Sequence, residues 1–159
     1  MIFNEQPKSQ PISKLQVQEA FKRVKANKGA SGVDGVTIEA VTKNTRKYLY
    51  PMWNRMASGS YYPKAVRQVL IPKGDGKMRP LGIPTIVDRV AQQVIATELE
   101  QIVEEHFHPS SFGYRPNKSA HDAIEECRIN SMKYSWVIDL DIKGFFDNID
   151  HELLLKAVQ

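Results

Sequence analysis

Four acidic residues stand close together late in the 159-residue chain: Asp139, Asp141, Asp147 and Asp150. Asp139 and Asp141 are two residues apart, so a β-strand would present both on one face. Carboxylates at a strand end are suited to a divalent metal, because hard cations prefer oxygen ligands. Acids in that position also cap the turn or helix that follows, and the spacing leaves both readings open. A second set is basic. Lys73, Lys77 and Arg79 flank the turn Gly74-Asp75-Gly76. Arg offers a planar fork of donors for phosphate oxygens, and Lys a mobile point charge. A solvated hairpin tip is the plainer alternative.

The elements that must carry these groups follow from periodicity and from turn residues. Residues 135–141 (Ser-Trp-Val-Ile-Asp-Leu-Asp) read as a strand, and Asp150 as the cap of a helix over 151–158. Residues 65–71 and 78–83 form a β-hairpin about the Asp75-Gly76 turn. Pro80 and Pro84 mark its second strand as short or at an edge. Ser13 caps a helix over 13–28, with Leu15, Ala20, Phe21 and Val24 toward the core. Thr37 begins another, with Ile38, Val41, Tyr48, Leu49, Trp53 and Met56 inward and a kink or break expected at Pro51. A long helix covers 86–105, with Val90, Val94, Ile95, Leu99, Ile102 and Val103 at helical spacing. Residues 106–117 are a loop. Ser119 and Asp122 make a capping box for a helix to about residue 130, with Cys127 facing inward. The three glycines in residues 29–35 require a tightly shaped loop.

Composition narrows the partners. Residues 1–80 hold 15 Lys/Arg against 5 Asp/Glu, a net of +10, and residues 81–159 hold 7 against 13, a net of −6. A basic half suits a polyanion, and an acidic half suits a metal site. A single cysteine excludes an internal disulfide. No apolar run approaches the ~18 residues of a membrane span. The first residues lack the apolar core of a signal peptide, so a cytoplasmic protein is expected.

Larger blocks carry a resemblance. Val69-Leu-Ile-Pro-Lys73-Gly-Asp-Gly-Lys77-Met-Arg79-Pro-Leu-Gly-Ile-Pro-Thr85 resembles the first conserved block of group II intron-encoded reverse transcriptases. Ser111-Phe-Gly-Tyr-Arg115-Pro-Asn-Lys118-Ser-Ala-His-Asp-Ala123 resembles the second. Val137-Ile-Asp-Leu-Asp141-Ile-Lys-Gly-Phe-Phe146-Asp-Asn-Ile-Asp-His151 resembles the third, which contains polymerase motif A. Lys28 to Thr37 is similar to the family's N-terminal region. The blocks stand in the family's order and cover roughly residues 15–159. Asp139-Leu-Asp141 also resembles the first motif of haloacid-dehalogenase-type phosphatases, but Lys143 stands where that motif has Thr or Val.

The polymerase resemblance implies an α+β fold: the fingers of a right-hand polymerase, helices plus a β-hairpin, with the first part of the palm, an incomplete domain. Residues 1–12 would be a flexible arm, 13–134 the N-terminal extension and fingers, and 135–159 a truncated start of the palm. It implies RNA-directed DNA synthesis, the metal-dependent addition of deoxynucleotides to a primer 3′ end on an RNA template. Two Mg2+ ions would stabilise the attacking and leaving oxygens. Asp141 would be the catalytic carboxylate and a metal ligand, with the Ile142 carbonyl beside it. Phe146, five residues on, would be the steric gate against a 2′-hydroxyl. Lys73, Arg79 and the Gly144 and Phe145 amides would meet the triphosphate. Lys22, Arg23, Lys25, Lys28, Lys64, Arg67, Arg115 and Lys118 would contact nucleic acid. Tyr61, Tyr62 and Tyr114 can stack on bases or pack. The family's Asp-Asp hairpin is missing from these residues, so the chain alone is expected to be inactive. Partners would be intron RNA, with splicing assistance, template-primer, deoxynucleoside triphosphates and the C-terminal palm and thumb, with self-association through exposed apolar surface. Two alternatives differ in kind: a stand-alone RNA-binding fingers module without catalysis, or a domesticated enzyme of a retron, diversity-generating or CRISPR system.

Overall fold

Local capping decides where most helices begin. The computed structural model describes residues 11–74, 76–146 and 148–158. Residues 1–10 of the expected arm, Asp75 of the turn and Asp147 lie outside that range. Helix α1 (Lys14–Ala26) opens on Ser13, whose hydroxyl accepts from the Gln16 amide while the Gln16 side chain accepts from the Ser13 amide, a closed capping box. Thr37 caps α2 (Ile38–Lys43). Asn44 caps α3 (Thr45–Ala57), its Oδ1 accepting from the Lys47 amide at 3.1 Å. Thr85 caps α4 (Ile86–Val103), followed by a 3-10 turn, Glu104–His106.

Two units divide the chain, Met1–His106 and Phe107–Gln159. In the first, α1, α3 and α4 pack about one core of Val17, Phe21, Val24, Val41, Leu49, Met52, Ile86, Val90 and Val94. The strands β1 (Arg67–Pro72) and β2 (Met78–Ile83) pair antiparallel, with Arg67 opposite Ile83 and Pro72 opposite Met78. Both faces of this ribbon are open: Val69, Leu70, Met78 and Leu81 are all exposed.

The second unit has α5 (Ala120–Ser131) and α6 (His151–Val158). Ser119 and Asp122 close the expected capping box, and Asp150 Oδ1 accepts from the Glu152 and Leu153 amides. No described residue of this unit is buried. No helix of the described residues is long and apolar enough to cross a membrane.

Several expectations are corrected. Leu15 is 71% exposed, because it sits about 200° around α1 from Val17, which takes the core position. The helix break falls at Asn44 and not at Pro51, which lies inside α3. The cap at Asn44 ends one helix and starts the next, whereas Pro51 removes only one donor. Ile95 and Ile102 are exposed because the core covers only the first half of α4. Cys127 is exposed, and no residue of α5 is buried. Residues 135–141 form no paired strand; among the described residues the one ladder is that of β1 with β2.

Candidate functional site

The hairpin displays its cations by alternation. Ile71 stands opposite Arg79 and Arg67 opposite Ile83. Directly opposed residues share a face, and so do residues two apart. Arg67, Val69 and Ile71 therefore share one face with Arg79 and Leu81, and Lys73 follows β1 at the turn, exposed. The Lys73 amide donates to the Lys77 carbonyl at 2.6 Å and the Gly76 amide to the Lys73 carbonyl at 3.1 Å, which closes the turn. Gly76 has φ +77°, a left-handed conformation that disfavours side chains. The result is a basic, solvent-facing surface with the chemistry for phosphate oxygens.

The base of the hairpin is polar and buried. Asp88, in the first turn of α4, is 3% exposed. Its Oδ1 accepts from the Tyr61 hydroxyl at 2.5 Å, and its Oδ2 from the Thr85 hydroxyl at 2.6 Å. The Lys64 amide lies 3.4 Å from both oxygens. Burial, then the hydrogen bond to Asp88 and its charge, push the Tyr61 phenol well above its ordinary range.

The neighbouring residue holds the glycine loop. The Arg89 guanidinium donates to the Ala30 carbonyl and, at 3.1 Å, to the Pro84 carbonyl. Gly32 permits the loop's close approach to residues 84–85: a Cβ there would come within 2.6 Å of the Thr85 backbone. Asp34, inside the loop, accepts from the Val36 amide and pairs with Lys64 at 3.3 Å. Thr85-x-x-Asp88 is a legible capping pattern, but the cross-chain roles of Asp88 and Arg89 carry no local signal.

The remaining basic residues are scattered. Lys22 pairs with Glu19 at 2.7 Å, and Arg23 lies between Thr97 and Glu100. Lys25 and Lys28 line a cleft of about 440 Å³ with the glycine loop and the start of α2. A second cleft, about 400 Å³, runs between α1 and α3, where the Lys14 ammonium lies 4.8 Å from the Trp53 ring centroid. In the second unit, Arg115 donates to the His108 and Ser111 carbonyls at 2.8 and 2.7 Å and lies over Phe107. Lys118 donates to the Pro109 carbonyl and lies over Phe112. Both thereby shape the loop over 107–118. Tyr62 and Tyr114 are exposed.

Asp141, Ile142 and Phe146 are exposed beside a turn made by Gly144, φ +62°. The Asn148 side chain donates to the Gly144 carbonyl at 2.7 Å, and a Cβ at Gly144 would meet that amide at 2.9 Å. The Phe145 and Phe146 rings are tilted, with centroids 5.5 Å apart, and Phe146 is 84% exposed. Among the described residues no three His, Cys, Asp or Glu converge as a metal site would require, so these residues by themselves do not compose a magnesium centre.

Comparison with known proteins adds a common thread. A family model described as reverse transcriptase (RNA-dependent DNA polymerase) matches residues 71–159. Protein YkfC of Escherichia coli (strain K12) is 38% identical over 148 residues, 89% of this chain and 39% of that protein. The group II intron-encoded protein LtrA of Lactococcus lactis subsp. cremoris is 36% identical over 140 residues, 87% of this chain and 23% of that protein. A putative COX1/OXI3 intron 1 protein of Saccharomyces cerevisiae is 33% identical over 140 residues, 88% of this chain and 17% of that protein. The chain thus spans 39% or less of the length of each.

Proposed function

The chain belongs to the reverse transcriptase (RNA-dependent DNA polymerase) family, and from that premise we propose that it is the nucleotide- and RNA-contacting N-terminal part of a group II intron-type reverse transcriptase and maturase. The observation that carries the reading is the hairpin, where Lys73, just past the end of β1, and Arg79, in β2, stand exposed on either side of one turn at the head of the matched region. In this reading the hairpin is part of the fingers, and Lys73 and Arg79 grip the triphosphate of an incoming deoxynucleotide. Arg67, on the face of Arg79, with Lys22, Arg23, Lys25, Lys28 and Lys64, follows the RNA backbone. The clustering of Lys25 and Lys28 at one cleft supports that part. Arg115 and Lys118 order the loop that meets the template.

Residues 135–158 begin the palm. Asp141 and the Ile142 carbonyl are this chain's contribution to a magnesium site, and Phe146 discriminates deoxyribose from ribose. Magnesium, when bound, neutralises charge on the transferring phosphoryl group; the other ligands are not among the described residues. The chain contains no adjacent Asp-Asp pair, so we assign it no primer extension of its own. In a longer protein it would serve DNA synthesis and intron RNA binding in a bacterial cytoplasm or an organelle.

The test uses the chain itself. A photoreactive deoxynucleoside triphosphate should cross-link to the hairpin, and Lys73→Ala with Arg79→Ala should abolish the adduct. Labelled RNA should bind with an affinity that falls steeply as salt rises, while an RNA-templated DNA primer stays unextended. Cross-linking that ignores both substitutions would overturn the triphosphate assignment.

A further inference from the structure

We propose that Asp88 is the positioning residue of the basic hairpin, a buried carboxylate that fixes where Lys73 and Arg79 point by holding both ends of the hairpin at once. The inference rests on the reading of those two cations as the triphosphate grip.

Packing holds little of the hairpin, since no residue of β1 or β2 is buried. Val69, Leu70, Met78 and Leu81 are exposed, and they cover both faces of the ribbon. A two-stranded ribbon on its own is only marginally ordered. Its direction is therefore set where the chain enters it, near residues 61–66, and where it leaves, at residues 84–85. Asp88 meets both places. Tyr61 and Lys64 reach it from the entering side, and Thr85 from the leaving side.

The post that carries Asp88 is rigid. Ile86 and Val90, on either side of it in α4, are fully buried in the core. The carboxylate is more than part of a helix cap. The Thr85 hydroxyl already satisfies the Asp88 amide at 3.1 Å, and that bond needs no acid side chain. Besides the Thr85 hydroxyl, the carboxylate oxygens meet groups 24 and 27 residues earlier in the chain. Burial makes each partner consequential, because a desolvated carboxylate that loses a donor recovers no water in exchange.

The experiment measures direction. Spin labels on Gly74→Cys and Ile95→Cys, in a Cys127→Ser background, report the distance from the hairpin tip to α4. Gly74 has open space around it, and Ile95 and Cys127 are exposed. The parent should give a narrow distribution. Tyr61→Phe and Asp88→Asn should broaden it at temperatures where helix content is unchanged. The same variants should weaken binding of a deoxynucleoside triphosphate roughly tenfold, as the competent population falls. Should Asp88→Asn not fold, Tyr61→Phe keeps the ring, loses only the hydroxyl, and carries the test. A lower melting temperature with an unchanged distribution would mean that the network only stabilises, and would overturn the proposal. Broadened distances in a chain whose parent binds no triphosphate would uphold the tether and overturn the functional reading beneath it.

Discussion

The Tyr61 hydroxyl donates to Asp88 Oδ1 across 2.5 Å, joining the segment before β1 to the first turn of α4. With Thr85 on the other oxygen, this pair closes the base of an otherwise unsupported ribbon.

Alkaline titration should single out Tyr61. Its folded-state pKa is raised, by burial first and by Asp88 second. The bond's contribution is complete below the unfolded value, about 10, and is lost as pH rises toward the higher folded value. Denaturant unfolding should therefore show stability falling above about pH 10, and Tyr61→Phe should flatten part of that slope. Equal slopes in both proteins would contradict the coupling.

Thr85→Ala should cost about 1–3 kcal/mol, because it removes both the cap of α4 and a donor to a buried carboxylate. Thr85→Ser keeps both bonds and should recover most of the loss. Urea melts of the three proteins check this.

The glycine loop gives a contrast within one segment. Gly32→Ala should destabilise by about 1–3 kcal/mol, because the new Cβ meets the backbone of Thr85 at 2.6 Å and backbone cannot step aside. Gly35→Ala finds open space and only the strain of φ +65°, about 1 kcal/mol. If both substitutions cost the same, the packing of the loop against residues 84–85 is not what Gly32 serves.

Helix α5 should loosen in acid. The Asp122 carboxyl is held below the ordinary carboxylate range, first by the Ser119 hydroxyl and then by the Ser119 amide. Its contribution is present above the unfolded value, about 3.9, and fades as pH falls through the lower folded value. Amide protection factors at the start of α5, taken relative to the intrinsic exchange rate at each pH, should fall below about pH 4, and Asp122→Asn should remove most of that dependence.

In a protein of the relatives' length, Phe146→Val should admit ribonucleotides more readily, while Phe145→Val should leave the choice of sugar nearly unchanged. Primer extension with each nucleotide class reads this directly. Unaltered selectivity in Phe146→Val would remove the gate assignment.

Sequence alone determined whatever is local. Ser13, Thr37, Thr85, Ser119 and Asp150 announce helix starts, because a cap and its donors lie within three residues. The hairpin was legible from alternation and turn chemistry, and the register of its two strands then places Arg67 on the face of Arg79. The ordered motifs also made the family legible. Tertiary structure decided which apolar residues reach the core. Leu15, Ile95 and Cys127 carry core-like types at helical spacing, yet burial depends on what lies opposite each helix. Residues 135–141 have the composition of a strand, but a strand exists only as half of a pair. The roles of Asp88 and Arg89 have no local signal. Their partners lie 27 and 59 residues away, and only the packed fold brings those groups within hydrogen-bonding distance.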